Sequence, residues 1–477
     1  MTTITENTPA QIDAAVQAAH AAFATYGSSS AATRAALLRG LADGLEAQRA
    51  TLVPLADQET GLGAGRLNGE VDRTAFQLRG FAAQVEQGAA FAFTNDAPVP
   101  GAPPVGHPSL LRVRVPVGPV AMFSASNFPF AFSVLGGDTA AALAAGCTVV
   151  VKAHPAHPAL SRAVAAIAHA VVKAQSLPAG VFGMVEGASI PVGVGLVEHP
   201  LVAAVAFTGS YRGGRALEKV AQSRPRPIPF YGELGSVNPV IALPAALQAK
   251  GAELATTLAA SIAMGAGQFC TSPGVIVVSK DAAGDAFVAQ LADSLKAATP
   301  HGMLSPAIRA GFDKGRSAWA AHAQLKPLVN DAGAADLPPK PFLAQVDASA
   351  FIADHALHEE VFGPAAIVVR TASTRETIEV LQAIGGSLTV TVWGADQPSD
   401  EVAALVRAAS QVAGRVLFAG VPTGVAVTAG QQHGGPFPSS TAPFTTSVGW
   451  AALDRFLRPV SLQDAPAWLA QREGVPC

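Results

Sequence analysis

Short, wholly apolar segments alternate with alanine-rich helical segments along most of this chain, and this alternation limits the folds open to it. The pattern begins at Val117, where the predicted strands VGPVAMFSA and CTVVVKA are each followed by a predicted helix, over residues 132–145 and 158–174. Strands that are apolar on both faces and separated by helices indicate a parallel sheet covered on both sides.

A second run of the same kind starts at NPVIALP, residues 238–244. It contains a predicted helix over 251–264, the strand GVIVVSK and a helix over 285–298. The strands PAAIVVR and SLTVTVWG and a helix over 398–413 follow, whereas the Pro-rich residues 325–345 are predicted to be irregular. Two such runs in 477 residues predict at least two domains, with a boundary near Gly235.

The segments before the first run differ from it. Residues 9–88 carry apolar side chains at helical spacing, and Ser28 to Ser30 offer N-caps before a helix over residues 31–45. A Pro- and Gly-rich stretch over 95–109 leads into LLRVRVPVGPV, where apolar and basic residues alternate. This alternation predicts a strand with one wet face, which projects from the core.

Charge and cysteine content exclude several classes of protein. The net charge is −3 with no basic stripe, so we expect no nucleic-acid partner. The three dispersed cysteines argue against a disulfide framework and for a reducing compartment. Because we see neither a signal peptide nor an apolar run of about 18 residues, we expect a cytoplasmic protein without a membrane span. Charged residues make up only 14%, which hints at a surface covered by another subunit.

Three residues are candidates for chemistry. Cys270, in GAGQFCTSPG, lies on a predicted loop and is either a nucleophile or a buried structural thiol. Glu233, in PFYGELGSVNP, is either a partly desolvated general base or the cap of a local turn. Asn127, in SASNFPF, is either a turn residue or an amide that donates to an oxyanion.

Six segments together resemble the aldehyde dehydrogenase family, and they occur in the family's order: SASNFPF, VVVKA, FTGSYRGG, GELGSVNP, GQFCTSPG and HEEVFGP. The resemblance implies an α/β fold with two Rossmann-like domains and a β oligomerisation segment. It implies that Cys270 is the nucleophile, Glu233 the general base and Asn127 the oxyanion-hole amide, which acts with the Cys270 N–H. It also implies a nicotinamide cofactor, an aldehyde substrate, a homodimer or homotetramer, and no metal ion.

The resemblance also implies which residues bind the dinucleotide. Lys152 would contact the adenosine ribose, and Gly235 would lie near the nicotinamide ring. Thr208, Gly209 and Ser210 would form the turn that meets the pyrophosphate. Gly214 would be the small residue that keeps the following helix close to the sheet. Glu360 and Phe362 would contact the nicotinamide ribose. Helix N-termini suit such anions.

Two departures from the family pattern bear on specificity. Many NAD-preferring members carry a Glu three residues after the lysine, where this chain has Pro155. A missing carboxylate tolerates a 2′-phosphate, so we expect NADP in preference to NAD. His154 or His157 would add a contact, although a solvated turn is the more ordinary interpretation of both. The C-terminal segment QQHGGPFPSS replaces the family's PFGG-like stretch and resembles a branch with 2-oxoglutarate semialdehyde (2,5-dioxopentanoate) dehydrogenases and an NADP-dependent fatty aldehyde dehydrogenase.

The substrate contacts are predicted from the segment DRTAFQLRG, which resembles the helix that lines the family's substrate tunnel. Arg73 and Gln77 lie four residues apart on one helix face, where they would bind a distal carboxylate. The alternative for Arg73 is an ordinary surface arginine. Phe128 is expected to line the tunnel. Cys147 and Cys477 are interpreted as structural.

The function predicted is oxidation of 2-oxoglutarate semialdehyde to 2-oxoglutarate through a cysteine thioester. Three alternatives stay open: a fatty aldehyde dehydrogenase, an acylating enzyme that uses coenzyme A, and a non-catalytic member of the fold. The predicted division of the chain is a cofactor-binding domain at 1–100 and 118–234, a catalytic domain at 235–430, and oligomerisation segments at 101–117 and 431–477.

Overall fold

The N-terminal quarter is helical in a computed structural model that describes residues 4–334 and 336–470. Thr8 and Ser30 cap the first two helices by accepting from the backbone N–H of Gln11 and Thr33. These helices confirm the helical prediction for residues 9–88. The bounds are α1 (Pro9–Tyr26), α2 (Ala31–Ala47), α3 (Arg49–Thr60) and α4 (Ala64–Glu86).

A five-stranded sheet occupies residues 120–233, and all of its strands run parallel. The strand bounds are β3 (Val120–Phe123), β4 (Val149–Lys152), β5 (Phe182–Val185), β6 (Ala204–Thr208) and β7 (Phe230–Glu233), in the order β5-β4-β3-β6-β7. The helices between them are α5 (Gly137–Ala145), α6 (Pro158–Ala174), α7 (Ile190–Glu198) and α8 (Tyr211–Ser223). Since the strands are parallel, Lys152, Thr208 and Glu233 end at the same edge of the sheet.

A second, seven-stranded sheet covers residues 240–417 in the order β10-β11-β12-β9-β8-β13-β14. Its strands are β8 (Val240–Ala242), β9 (Val275–Ser279), β10 (Lys326–Asn330), β11 (Phe342–Asp347), β12 (Ala365–Thr371), β13 (Ser387–Trp393) and β14 (Ala413–Leu417). The helices are α9 (Pro244–Ala263), α10 (Ala282–Lys296), α11 (Pro306–Ala320), α12 (Ala348–Ala353), α13 (Thr374–Ile384) and α14 (Asp400–Val412). The two sheets confirm the predicted α/β class.

A small antiparallel sheet stands apart from both parallel sheets. It contains β1 (Thr94–Asp96), β2 (Leu110–Pro116) and β15 (Leu457–Gln463), in the order β1-β2-β15. The alternation in LLRVRVPVGPV therefore does predict a strand, and most of β2 is half-buried or exposed. The last described helix is α15 (Ala467–Ala470). Among the described residues, no helix combines the length and apolar character that a membrane crossing needs.

Two sequence predictions of secondary structure are wrong. Residues 325–345 were expected to be irregular, but they contain β10 and the start of β11. Pro327 is tolerated there because β10 pairs with β11 alone and lies at the edge of the sheet.

The helix expected over 132–145 begins only at Gly137. Turns fill residues 128–136, where Phe132 N–H donates to the carbonyl of Phe128. A Cβ at Gly136 would lie 2.5 Å from the Ala131 carbonyl oxygen, so only glycine fits this compact turn. The turn brings Phe128 and Phe132 into edge-to-face contact, with ring centroids 5.2 Å apart.

Candidate active site

The loop that carries Cys270 is held by a tight bend and by one buried amide. Gly265, Ala266 and Gly267 all have positive φ, and a Cβ at Gly267 would lie 2.2 Å from the Gly363 carbonyl oxygen. Asn238 donates its side-chain amide to the carbonyl of Cys270 at 2.8 Å. These contacts leave the Cys270 thiol half-buried just before β9.

Cys270 and Glu233 both contact a third residue, His433. The His433 Nε2 lies 3.5 Å from the Cys270 Sγ and 3.1 Å from the Glu233 Oε1. The Ser447 hydroxyl donates to the other carboxylate oxygen of Glu233. His433 and Glu233 are only 1% and 4% exposed, so water competes little for these contacts.

The segment after residue 430 places His433 beside Glu233 because it runs along the end of β7. Leu234 N–H donates to the Ser439 carbonyl at 2.8 Å, and Gly232 N–H donates to the Thr441 hydroxyl at 2.8 Å. His433 lies outside the motifs that predicted the other site residues. The chain has 11 histidines, and the one available signal was that this histidine lies in the segment that departs from the family pattern.

The electrostatics of the three residues keep the proton on sulfur in the resting site. Burial and the negative charge of Glu233 raise the pKa of the Cys270 thiol well above its ordinary value. Burial also acts to raise the pKa of Glu233, but the attraction of His433 and hydrogen bonds from His433 and Ser447 outweigh it and lower that pKa. At neutral pH the resting site therefore holds a thiol next to an ionised carboxylate.

Asn127 approaches the nucleophile loop from the other side. Its Nδ2 donates to the Gln268 carbonyl at 3.1 Å, and the residue is 8% exposed. Because a side-chain amide carries two N–H groups, one is left to donate elsewhere. Phe128 packs edge-to-face on Phe269 at 5.5 Å between centroids, so the two loops share an aromatic contact.

The predicted dinucleotide residues fall into two groups. Lys152, Thr208 and the turn Gly209–Ser210 lie at the edge of the five-stranded sheet where Glu233 also ends; Gly209 N–H donates to the Glu233 carbonyl at 3.1 Å. Burial lowers the pKa of Lys152 to about 8, and Glu6 partly offsets this. Ser210 caps α8 by accepting from the Gly213 N–H.

Gly214 and Gly235 lie at positions where a neighbouring side chain comes very close to the backbone. A Cβ on Gly214 would lie 2.2 Å from a Leu234 methyl group, so α8 sits close to the strand below it. A Cβ on Gly235 would lie 2.5 Å from a Glu360 carboxylate oxygen. Glu360 and Phe362 line one small cavity that borders the Cys270 loop. The structure thus brings Gly235, Glu360 and Phe362 together.

The histidines beside Pro155 are not a solvated turn. His157 is fully buried, with its ring nitrogens 3.3 Å from the Ser161 hydroxyl and 3.2 Å from the Ala125 carbonyl. The solvated interpretation is therefore wrong for His157, because its ring fills the space between α6 and the loop after β3. His154 and Pro155 are half-buried, and the His154 ring lies 5.7 Å from that of His157.

The remaining candidates lie on α4 and in the core. Gln77 is 1% exposed, and the Nε and Nη2 atoms of Arg73 are shielded from solvent. Cys147 is completely buried, as a structural thiol would be, and Cys477 lies outside the described residues.

Glu233, Cys270 and His433 also form a group of possible metal ligands. Their donor atoms all lie within 4.8 Å of one another. Thiolate, imidazole and carboxylate are the donors that zinc prefers. Catalysis by a cysteine nucleophile uses the same three groups, a thiol, an imidazole and a carboxylate, in contact with one another. The geometry therefore also fits cysteine chemistry without an ion.

Residues 1–313 match the model of the aldehyde dehydrogenase family. The chain belongs to the aldehyde dehydrogenase family. Both the predicted family and the predicted fold are confirmed, and the protein is a nicotinamide-dependent oxidoreductase of the family's type.

Two relatives and one solved structure are similar to this aldehyde dehydrogenase over nearly its whole length. It is 42% identical over 458 residues to alpha-ketoglutaric semialdehyde dehydrogenase 2 of Azospirillum brasilense, covering 96% of this chain and 87% of that protein. It is 41% identical over 463 residues to alpha-ketoglutaric semialdehyde dehydrogenase of Acinetobacter baylyi, covering 95% and 86%. An NAD-dependent aldehyde dehydrogenase structure from Sinorhizobium meliloti aligns with a TM-score of 0.80 at 25% identity, covering 97% and 89%.

Proposed function

We propose that this aldehyde dehydrogenase oxidises 2-oxoglutarate semialdehyde (2,5-dioxopentanoate) to 2-oxoglutarate. One observation carries the substrate: two relatives with that named activity share 41% and 42% identity over nearly the whole chain. The site supports the reaction type, since half-buried Cys270 and buried His433 and Glu233 form a contact cluster that offers a nucleophile, a proton acceptor and a base.

The first step is attack by sulfur on the aldehyde carbon. Cys270 passes its proton to His433 Nε2, 3.5 Å away, and Glu233 at 3.1 Å stabilises the charged imidazole. The oxyanion that forms accepts hydrogen bonds from the free N–H of the Asn127 amide and from the Cys270 backbone N–H. Both donors are held in place before substrate arrives, so they need no rearrangement during the step.

Hydride acceptance is the chemistry that NADP or NAD supplies when bound. The residues at the sheet edge fit such a dinucleotide: Lys152 would contact the ribose, and Thr208, Gly209 and Ser210 would meet the pyrophosphate at the start of α8. Gly214 keeps α8 close to the sheet. Glu360 and Phe362 would hold the nicotinamide ribose. Gly235 has no side chain, so its backbone would lie close to the nicotinamide ring.

Hydrolysis of the Cys270 thioester completes the reaction. Glu233 is ionised at neutral pH because its pKa is lowered by His433 and Ser447 against the effect of burial. It accepts a proton from water, whose oxygen bonds to the acyl carbon as the carbon–sulfur bond breaks. A base retained at this position argues against an acylating enzyme that uses coenzyme A.

The cofactor preference, assembly and location are parts of the same proposal. Pro155 leaves no carboxylate to repel a 2′-phosphate, so we expect NADP to be preferred over NAD. We expect a homodimer or homotetramer built through the small antiparallel sheet, in the cytoplasm. The domain limits at 1–100 with 118–234, and at 235–430, stay predictions.

A fatty aldehyde dehydrogenase is the second candidate. Phe128, Phe132 and Phe269 pack together next to Asn127 and Cys270, and such an aromatic lining suits an apolar chain. The relatives named above favour the semialdehyde instead.

The experiment is a comparison of kcat/KM for 2,5-dioxopentanoate and for a long-chain aldehyde, each with NADP and with NAD. A higher value for the semialdehyde supports the proposal, and the NADP to NAD ratio tests the role of Pro155. Preference for the long chain would overturn it in favour of the fatty aldehyde candidate. Dependence on coenzyme A would point to the acylating enzyme.

A further inference from the structure

Electron-donor atoms of three side chains converge in the active site. The Cys270 Sγ, the His433 Nε2 and one carboxylate oxygen of Glu233 all lie within 4.8 Å of one another. Within residues 4–334 and 336–470, no other group of three or more His, Cys, Asp or Glu side chains brings possible metal ligands together in this way. Thiolate, imidazole and carboxylate are also the three side-chain groups that bind zinc in proteins.

The distances between these atoms are those of a tetrahedral zinc site. The Cys270 Sγ is 3.5 Å from the His433 Nε2, which is 3.1 Å from the Glu233 Oε1. Zinc bonds of about 2.3 Å to sulfur and about 2.0–2.2 Å to nitrogen and oxygen, at tetrahedral angles, separate S from N by about 3.6 Å and N from O by about 3.4 Å. Small side-chain rotations would therefore complete the site without any change in the backbone.

The contact between His433 and Glu233 has room for a cation other than a proton. The Glu233 Oε1 is shielded from solvent and, apart from its contact with His433, has no partner among the described residues. A neutral imidazole that carries its proton on Nδ1 presents a lone pair at Nε2. Two lone pairs that face each other at 3.1 Å repel unless a positive charge is shared between them.

Charge balance favours a divalent ion at this position. His433 and Glu233 are 1% and 4% exposed, so a charge in this pocket is poorly solvated by water. Zn²⁺ bound by one thiolate, one carboxylate and one neutral imidazole leaves no net charge. The thiol proton of Cys270 passes to solvent as the sulfur–zinc bond forms. Cys270 is half-buried, which gives the ion access from solvent.

Neighbouring groups already hold the three ligands in place. The Ser447 hydroxyl donates to the second carboxylate oxygen of Glu233, and the His433 N–H donates to the Thr446 hydroxyl at 2.8 Å. Such outer contacts orient metal ligands and raise their affinity for the ion. Three protein ligands leave the fourth tetrahedral position for water.

From this geometry we propose that Cys270, His433 and Glu233 bind one Zn²⁺ ion, which inhibits the enzyme reversibly. The ion is an inhibitor and not a cofactor, because it occupies the sulfur lone pair that must attack the aldehyde and the carboxylate that must accept a proton. The inference does not depend on which aldehyde is oxidised, so it goes beyond the proposed function.

The first test is a titration of the full-length, chelator-treated enzyme with Co²⁺, which takes the same ligands and gives a visible spectrum. We expect one Co²⁺ per chain, a thiolate-to-cobalt charge-transfer band, and displacement of Co²⁺ by Zn²⁺. Ser447→Ala should weaken binding about 10- to 100-fold, as loss of an outer contact does, and His433→Asn should weaken it further. His322→Asn, which removes a partly exposed histidine paired with Asp354, is the control and should bind normally.

Two results of the titration would overturn the proposal. An unchanged affinity in His433→Asn would show that the thiol alone or a surface group holds the ion. A spectrum without the charge-transfer band would show that sulfur is not a ligand.

A second measurement needs no variant and therefore does not depend on whether His433→Asn folds. Saturating Zn²⁺ should slow the alkylation of Cys270 by iodoacetamide at least about tenfold, because the lone pair of a metal-bound thiolate is not free to react. Removal of the ion by EDTA should restore the rate. An alkylation rate that Zn²⁺ leaves unchanged would contradict the site. Neither the spectrum nor the alkylation uses an aldehyde, so failure of this inference leaves the proposed function untouched.

Discussion

His433 Nε2 lies 3.1 Å from the Glu233 Oε1, in a pocket where both side chains are almost completely buried. The same nitrogen is 3.5 Å from the sulfur of Cys270. A carboxylate that holds an imidazole against a thiol orients the proton acceptor and stabilises its charged form. In the proposed mechanism, this contact gives Glu233 a role before hydride transfer as well as in hydrolysis.

Replacement of His433 by Asn should slow formation of the thioester. The expected fall in the first-turnover rate of nicotinamide reduction is about 10²- to 10⁴-fold, the range for loss of a positioned base. Dinucleotide affinity should be unchanged. Stopped-flow absorbance measures the rate, and His322→Asn, which removes a partly exposed histidine paired with Asp354, is the control. A first turnover as fast as that of the unaltered enzyme would contradict the role of His433.

Replacement of Glu233 by Gln should make the Cys270 thiol easier to ionise. The pKa of Cys270 is raised by burial and by the charge of Glu233, so removal of that charge lowers it. The pH profile of Cys270 alkylation by iodoacetamide should therefore move toward lower pH, measured by mass spectrometry of the Cys270 peptide. A profile that stays in place, or moves upward, would show that Glu233 does not control the thiol.

The same variant should also release product slowly. Glu233→Gln retains the size of the side chain but cannot accept a proton from water. We expect the thioester to form and accumulate, visible as a burst followed by slow turnover, and to be trapped by acid quenching. Rapid steady turnover would exclude Glu233 as the hydrolytic base.

Arg66 should position the oxyanion site. Its Nη2 donates to the Asn127 carbonyl at 2.5 Å, and its guanidinium lies 5.0 and 4.7 Å from the ring centroids of Phe128 and Phe269. In Arg66→Met we expect kcat to fall about 10- to 100-fold because Asn127 and Cys270 are no longer held at a fixed distance.

Steady-state kinetics with saturating dinucleotide measures the effect of Arg66→Met. Arg66→Lys should partly restore kcat, whereas Arg49→Met, which alters an arginine paired with exposed Asp72, should leave it unchanged. Equal kcat values for Arg66→Met and the unaltered enzyme would contradict the positioning role.

Gly214→Ala should weaken the binding of the dinucleotide. The new Cβ would lie 2.2 Å from a Leu234 methyl group and 3.0 Å from the Phe207 ring, so α8 must move away from the sheet. We expect a higher KM for the dinucleotide and a loss of about 1–3 kcal/mol in unfolding free energy, as for other overpacked sites.

A glycine on an open helix face provides the control for Gly214→Ala. A Cβ at Gly69 on α4 would meet nothing within 4 Å, so Gly69→Ala should raise stability by about 0.5–1 kcal/mol. Thermal melts with and without NADP separate the two effects. An unchanged KM in Gly214→Ala would show that α8 tolerates the shift.

Much of the fold was predictable because its cause is local. Apolar runs such as VVVK and VIVVS form buried parallel strands, and α6 begins and ends at the predicted residues, Pro158–Ala174. The error at residues 132–136 comes from a compact local turn, in which Gly136 approaches Ala131 closely. The error at residues 325–345 has a cause outside the segment, since an edge position in the sheet tolerates Pro327.

The sequence by itself determined the family and the choice of Cys270, Glu233 and Asn127, since each lies in a short motif whose residues are adjacent in the chain. Only the tertiary structure decided that His433 stands between Cys270 and Glu233, 163 and 200 positions away. It also decided that the Nε and Nη2 atoms of Arg73, near the Phe132 ring, are buried without a hydrogen-bond partner among the described residues. The physical reason is that hydrogen bonding, burial and charge act over a few ångströms in space, and the fold alone sets which distant residues come that close.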